Sequence, residues 1–311
     1  MLSRTAGCIY WMSRQMERAE NIARVLDVSY QMALMPGGME REQILAPLEI
    51  TGMRSAFETA RGRVTADEVM LFFALNPANP SSIYSCIKQA RENAHVVRGK
   101  ITNEMWESLN ATWLEIQGMS RDSLKRMGVS RFLEWVKERS HLFRGATFGT
   151  IRRNDAFHFS RLGTFLERAD NTARILLVKV PTLFSEGIEP SAAADYYQWA
   201  ALLRSLSAFE SYRDIYRESI LPEHVAEMLL LRDDLPRSLH ACLNEITQVL
   251  ENIEGNSGIE AKRLAAQIHA RLHYAQVAEA FKEGLQNYLQ EFLTEINNLG
   301  ALIHTAYLEV A

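Results

Sequence analysis

Two segments of this sequence carry the same charged and amide side chains at the same spacing. In each, a glutamate is followed directly by an arginine, then by an asparagine and a second arginine at helical spacing. The residues are Glu17, Arg18, Asn21 and Arg24 in the first segment and Glu167, Arg168, Asn171 and Arg174 in the second. Arginine forks bind carboxylates and phosphates, and a positioned carboxylate can transfer protons. The set could therefore bind an anionic ligand, perform acid–base chemistry or form ion pairs.

Helical geometry groups these side chains on one side of the first segment. At about 100° per residue, Glu17, Asn21 and Arg24 form a polar stripe together with Ser13 and Tyr10. Apolar residues occupy the opposite side of the same helix. The second segment repeats the stripe, so we predict that both segments are amphipathic helices with a polar face of shared chemistry.

Three interpretations of this stripe remain open. It could be a solvated face with ion pairs such as Glu20–Arg24, a buried network that clamps the two segments together, or a groove for a peptidic or anionic ligand. We favour a clamp at the base of a groove, with Arg24 and Arg174 directed into the opening. The clamp predicts that Glu17 pairs with Arg168 or Arg174, and that Glu167 pairs with Arg18 or Arg24.

An internal repeat supports treating the two segments as equivalent. The segments around Glu17 and Glu167 align, as do residues 55–59 with 207–211 and residues 72–87 with 228–243, always in the same order. The repeat length of roughly 150 residues is longer than that of solenoid repeats. We therefore predict a duplicated domain, with a first helical repeat over 1–150 and a second over 151–311, each containing one stripe and both forming one compact unit.

The elements that must position these residues are helices throughout. Apolar residues recur every three or four positions, and no segment shows the two-residue alternation of a strand. The predicted fold class is all-α. The first predicted helix covers 9–34 and is ended by Pro36-Gly37-Gly38, and the second covers 41–60. The third begins at a capping box of Thr65 and Glu68, and the fourth begins at Asn79-Pro80 and runs past Val97. Further helices are predicted over 103–117, 131–143, 156–178, 192–216, 223–231, 236–252 and most of 259–310.

Composition limits the function classes. The net charge of −4 argues against nucleic acid as the main partner, which usually requires a basic face. No apolar run is long enough for a membrane helix, and the N-terminus lacks a signal peptide's apolar segment. Three widely spaced cysteines predict neither a disulfide framework nor a thiolate zinc site. We expect a cytoplasmic protein with no membrane partner.

Other candidate residues carry weaker signals. His269 and His273 have the spacing of two metal ligands on one helix, but no acidic residue completes an HExxH pattern, so no metal site is predicted. Arg91, Glu92 and Asn93 repeat the chemistry of the stripe as a secondary candidate. No glycine-rich phosphate loop or nucleophile elbow is present, and no cofactor is predicted.

Ordered blocks of characteristic residues extend along the whole chain. They are YWMSRQMERAENIAR at 10–24, NPSS at 79–82, ARENA at 90–94, EMW at 104–106, LGTFLERAD at 162–170 and DLPRS at 234–238. Together they resemble the Alpha-E family of helical proteins, known for a Glu-Arg "ER" motif. One departure is Thr164, which lies where the first copy has Arg14, so the second half lacks that arginine.

The resemblance implies a context rather than a reaction. Alpha-E proteins are typically encoded beside, or fused to, circularly permuted ATP-grasp proteins that look like peptide or amide ligases, often with transglutaminase-like proteins. We therefore expect an auxiliary or scaffolding partner of such a ligase that binds a peptide or anionic ligand. The alternatives are an enzyme of the same pathway that uses the two ER helices, and a purely structural dimerisation module that forms a homo-oligomer.

Overall fold

The computed structural model describes residues 1–33, 41–60, 64–183, 192–253 and 258–309. Within these ranges the chain is all-α, which confirms the predicted fold class, and no β-strand occurs there. None of the helices in the described ranges combines the length and apolar character that a membrane crossing requires. The predicted stop at Pro36-Gly37-Gly38 lies outside the described residues.

The described ranges contain sixteen α-helices and one π-helical turn, His304–Leu308. The helices are α1 Ser3–Ala33, α2 Arg41–Thr51, α3 Arg54–Ala60, α4 Ala66–Ala74, α5 Ile83–Val96, α6 Asn103–Gln117, α7 Arg121–Met127, α8 Val129–Thr150, α9 Asp155–Leu183, α10 Ala192–Ser205, α11 Phe209–Tyr216, α12 Pro222–Leu231, α13 Leu239–Asn252, α14 Ile259–Tyr274, α15 Val277–Glu283 and α16 Leu285–Ile303.

Capping residues place some helix starts where the sequence predicts them. Thr65 caps α4 by accepting a hydrogen bond from the Glu68 backbone N–H at 3.2 Å, which confirms the predicted cap. α6 has the predicted bounds, and its first turn is capped by Thr102. A hydroxyl at the N-cap satisfies one of the backbone donors that the first helical turn leaves without a partner, which fixes the start.

Other helix boundaries differ from prediction. The predicted helix over 41–60 is divided between α2 and α3 at Gly52, whose φ of +68° is a left-handed conformation that ends a helix. The predicted helix over 192–216 is divided at Ser207, which also has a positive φ. The segment 259–310 is divided into three helices and the π-turn, with one break at Gly284, where φ is +89°.

The predicted start at Asn79-Pro80 is wrong by a turn. α5 begins at Ile83 with Ser82 as its cap. The Asn79 side chain instead folds back and donates to the Phe72 carbonyl at 3.1 Å, which stabilises the loop before the helix. The start predicted at residue 236 moves in the same way, because Ser238 caps α13.

These two turns are built alike. Ser82 accepts from the backbone N–H three residues on, and Ser238 does the same. The thiols of Cys86 and Cys242 each lie 3.9 Å from the carbonyl of the proline six residues earlier. Both cysteines are buried and outside any disulfide, as expected of small apolar side chains, whereas Cys8, which is also outside any disulfide, is half-buried. The recurrence fits a duplication, which stays a prediction.

The chain divides into two compact units. Unit 1 comprises Met1–Glu167 with Tyr307–Ala311, and unit 2 comprises Arg168–Ala306. In unit 1, α1 is the central helix and packs against α5 and α8. In unit 2, α13 packs against α14, and α14 packs against α16. The division falls inside α9, between Glu167 and Arg168. The segment around Glu17 therefore lies in unit 1, whereas the segment that begins at Glu167 is divided between the two units.

Candidate functional site

The central turns of α1 are buried on both the apolar and the polar side. Met12 and Ala19 are fully covered, as their pattern predicts, but Glu17 and Asn21 are also only 2% exposed. A solvated face is therefore excluded for these two positions. A carboxylate that loses water at this depth needs compensating hydrogen bonds or cations, so its partners define what the site can do.

Glu167 on α9 receives the first set of partners from α1, within unit 1. Arg18 donates to one carboxylate oxygen through Nε at 2.5 Å and to the other through Nη2 at 2.9 Å. Arg14 adds a bond from its Nε at 2.7 Å. We call Tyr10, Arg14, Arg18 and Glu167 the Glu167 cluster. The predicted pairing of Glu167 with Arg18 is confirmed, in the bidentate form that favours arginine over lysine.

The electrostatics of the Glu167 cluster favour a permanently ionised carboxylate. Burial by itself would raise the pKa of Glu167, but Arg18 and Arg14 outweigh it and hold that pKa at about 2. Arg14 Nη1 also donates to the Tyr10 hydroxyl at 2.8 Å, and its guanidinium lies 5.1 Å from the Trp11 ring centroid. Burial raises the pKa of Tyr10, so the phenol is neutral and accepts this bond.

A close approach of α1 and α9 makes this pairing possible. Gly163 lies against the backbone carbonyl of Tyr10 and leaves no room for a side chain there. The hydroxyls of Ser13 and Ser160 are hydrogen bonded at 2.7 Å in the same interface. Small residues at both positions let the helices approach until Glu167 reaches the α1 arginines. Thr164 occupies the position that corresponds to Arg14 in the first copy, and its hydroxyl donates to the Ser160 backbone carbonyl of the same helix.

A second cluster joins α1 to α8 and contains residues that sequence reasoning missed. Arg144 donates to Glu17 at 2.9 Å and lies 2.6 Å from Glu20. Ser140 donates to Glu20 at 2.7 Å, and Arg24 lies 2.7 Å from the same carboxylate. We call Glu17, Glu20, Arg24, Ser140 and Arg144 the Glu20 cluster. The predicted Glu20–Arg24 pair is confirmed, but it is buried rather than solvated.

Arg24 is committed to this cluster on more than one side. Besides Glu20, it lies 3.3 Å from Nε2 of His141 on α8, and its side chain is only 13% exposed. Most of the Arg24 side chain is therefore buried between α1 and α8, and the prediction that it points into an open groove is wrong. Further along, Lys137 of α8 bonds to Asp27 at 3.0 Å and continues the row of ion pairs between the two helices.

The second ER segment makes its described bonds within unit 2. Arg168 is buried and donates to the Pro236 carbonyl at 3.3 Å, and Thr172 donates to the Arg237 carbonyl at 2.9 Å. Arg174 forms a two-bond pair with Asp170 at 2.8 and 3.1 Å. The bonds of Arg168 and Thr172 attach the second half of α9 to the loop before α13, whereas the Arg174–Asp170 pair lies within α9. Asn171 is half-buried on the same helix, and the predicted pairing of Glu17 with Arg168 or Arg174 stays a prediction.

The secondary candidates lie on α5 and serve different roles. Arg91 donates to the Asn110 side chain at 3.3 Å and stacks 5.3 Å from the Trp106 ring centroid. Glu92 is exposed and lies 3.8 Å from Lys88, an ordinary ion pair of a helix surface. Asn93 is half-buried and accepts at its backbone carbonyl. These three residues do not form a second ER-type cluster.

Comparison with known proteins extends over nearly the whole chain. The Alpha-E family model, described as a predicted alpha-helical domain with a conserved ER motif, matches residues 1–308. An uncharacterized protein of Mycobacterium bovis is 22% identical over 317 residues, covering 94% of this chain and 35% of the relative. Uncharacterized proteins from two strains of Mycobacterium tuberculosis match with the same identity and coverage. The chain thus spans about a third of these relatives' length, and no solved structure matches it.

Proposed function

The chain belongs to the Alpha-E family, and from this starting point we propose that it is a non-catalytic helical partner of an ATP-dependent peptide or amide ligase of the circularly permuted ATP-grasp type. In this role it holds a peptide or other carboxylate-bearing acceptor beside the ligase. One observation carries the proposal: the carboxylates of the ER region are buried and each is neutralised by arginine.

This charge arrangement supports a scaffold better than an acid–base catalyst. Efficient proton transfer needs a group whose pKa lies near the working pH. Arg18 and Arg14 hold the pKa of Glu167 at about 2, against the opposing effect of burial, so that carboxylate is a weak base at neutral pH. Glu20 is completely covered by its partners and presents no face to a substrate. The enzyme alternative would therefore need proton-transfer groups outside these two clusters.

The arginines, by contrast, reach the edge of the clusters. The side chains of Arg18 and Arg144 are 28% and 30% exposed while their inner donors bind Glu167, Glu17 and Glu20. A guanidinium has five donors in a planar fork, so it can bind an internal carboxylate and an external one together. These exposed edges are where we place the carboxylate of an acceptor peptide.

The length of the relatives also supports a partner role. In the mycobacterial relatives the matching region is 35% of the polypeptide, so it is joined there to a larger remainder. Because the matching region is covalently linked to further protein in these relatives, we propose that this chain associates non-covalently with a separate protein. The identity of the ligase partner rests on the family resemblance, as does the association with transglutaminase-like proteins.

Co-expression with a circularly permuted ATP-grasp ligase from the same genome tests the proposal. We expect the two chains to elute together in size-exclusion chromatography, and mass spectrometry of the complex to detect a retained peptide or amine. The ligase with ATP should form amide product faster when this chain is present. Arg18→Lys and Arg144→Lys keep the internal charge but lose the planar fork, which also lowers the melting temperature where a bidentate bond is lost. Ligation should therefore be measured well below the melting temperature of each variant, and we expect it to fall there.

Arg126→Lys is the matched control, because Arg126 is exposed on α7 and lies outside both clusters. Its ligation rate should equal that of the unchanged protein. The proposal would be overturned if the two chains eluted separately and the ligation rate were the same with and without this chain. Product formed by this chain alone would support the enzyme alternative, and a stable homodimer that ignores the ligase would support the structural module.

A further inference from the structure

Three histidines converge in unit 2. His240 lies on α13, and His269 and His273 lie one turn apart on α14. One ring nitrogen of each lies within 4.8 Å of those of the other two. We call these residues the trihistidine cluster. His240 is buried, His269 is half-buried and His273 is exposed, so the cluster extends from the helix interface to the solvent.

Hydrogen bonds from outside the cluster fix which nitrogens are free to bind a cation. Nδ1 of His240 lies 2.8 Å from the Leu231 carbonyl, which can only accept, so Nδ1 carries the proton and Nε2 keeps its lone pair. Nε2 of His269 is similarly bonded to the side-chain oxygen of Asn244. Metal-binding histidines typically donate their second N–H to a protein acceptor in this manner, because the bond orients the ring.

The distance between two of the three ring nitrogens matches tetrahedral coordination. Nε2 of His240 and Nδ1 of His273 are 3.4 Å apart. Two nitrogens that each lie about 2.0–2.1 Å from a tetrahedral zinc ion are about 3.4 Å from one another.

We propose that the trihistidine cluster binds one Zn²⁺ ion through one ring nitrogen each of His240, His269 and His273. Imidazole nitrogens are favoured ligands of zinc, and they suit neither Mg²⁺ nor Ca²⁺. Closed structural zinc sites use four protein ligands, whereas three leave one position for water. The site is independent of the ligase partnership proposed above and connects α13 to α14.

Isothermal titration of the full chain, without a histidine tag, with Zn²⁺ at neutral pH tests this site. We expect one equivalent to bind. His240→Asn retains an amide N–H that can bond to the Leu231 carbonyl but removes the ligand nitrogen. Loss of a ligand should weaken binding by at least on the order of 100-fold, since loss of an outer hydrogen bond alone costs about 10–100-fold. His269→Asn and His273→Asn should weaken it similarly.

His95→Asn is the control, because His95 is exposed on α5 in unit 1 and its loss should leave binding unchanged. If His240→Asn does not fold, the ¹⁵N chemical shift of His240 Nε2 in the unchanged chain gives the same information, since that nitrogen must respond to Zn²⁺. Binding that needs only His269 and His273 would identify a two-histidine surface site and overturn the proposal. Absence of saturable binding up to about 1 mM Zn²⁺ would overturn it as well.

Discussion

Replacing Glu167 by glutamine tests whether the Glu167 cluster stabilises unit 1 through charge. The amide has nearly the same shape but lacks the negative charge that Arg14 and Arg18 neutralise. The side chains of Arg14 and Arg18 are only 15% and 28% exposed, and their guanidiniums would then face each other across a neutral group. Breaking a buried ion pair on one side typically costs about 3–5 kcal/mol, because the remaining charge is desolvated without a partner.

The pKa of Glu167 gives an independent magnitude. The pKa falls from an ordinary 4.5 to about 2, because Arg18 and Arg14 together outweigh the opposing effect of burial. At about 1.4 kcal/mol per pKa unit, the ionised carboxylate contributes about 3 kcal/mol to the free energy of unfolding at pH 7. Because the folded pKa is the lower one, this contribution is complete above pH 4.5 and is lost as the pH falls to about 2.

Native-state hydrogen exchange of amides on α1 measures this loss within unit 1, and urea unfolding at a series of pH values follows its pH dependence. Glu167→Gln should be less stable by about 3 kcal/mol at pH 7, and the difference should shrink steadily as the pH falls from about 4.5 to about 2. Over that interval the natural carboxyl is protonated first in the unfolded chain and then in the folded protein. Glu58→Gln is the control, because Glu58 forms an exposed pair with Arg54 that should contribute at most about 0.5 kcal/mol. A difference below about 1 kcal/mol at pH 7, or one that does not change with pH, would refute the reasoning.

Two further substitutions test the packing around the clusters. Gly163→Ala places a methyl group against the Tyr10 carbonyl, so we expect a loss of about 1–3 kcal/mol from overpacking, measured by urea unfolding; an unchanged midpoint would show that α1 and α9 can separate at no cost. Asn21→Ala removes a buried amide from α1 and should cost about 1–3 kcal/mol, lowering the melting temperature by a few degrees; unchanged melting with lost ligase stimulation would instead place Asn21 in a ligand groove.

Local signals in the sequence predict much of the local structure correctly. The cap at Thr65, the bounds of α6 and the Glu20–Arg24 pair all follow from residues within one or two turns of each other. The sequence pattern does not predict the breaks at Gly52 and Ser207. A residue with a positive φ changes the direction of the helix axis, but the three- to four-residue spacing of the apolar residues continues through it. The starts of α5 and α13 were displaced because the serines after the prolines cap the helices.

The amino-acid pattern alone predicts that the chain is helical, that the ER segments lie on long helices, and that Glu167 pairs with a cation such as Arg18. Periodicity encodes which face of a helix is apolar, but both faces of α1 are buried, and the packing of the folded chain sets which helix covers the polar one. The roles of Arg144 and Ser140 on α8, and of His240 opposite His269, come from that packing. These partners are far apart in the chain, and no local pattern specifies contacts that form only when helices pack.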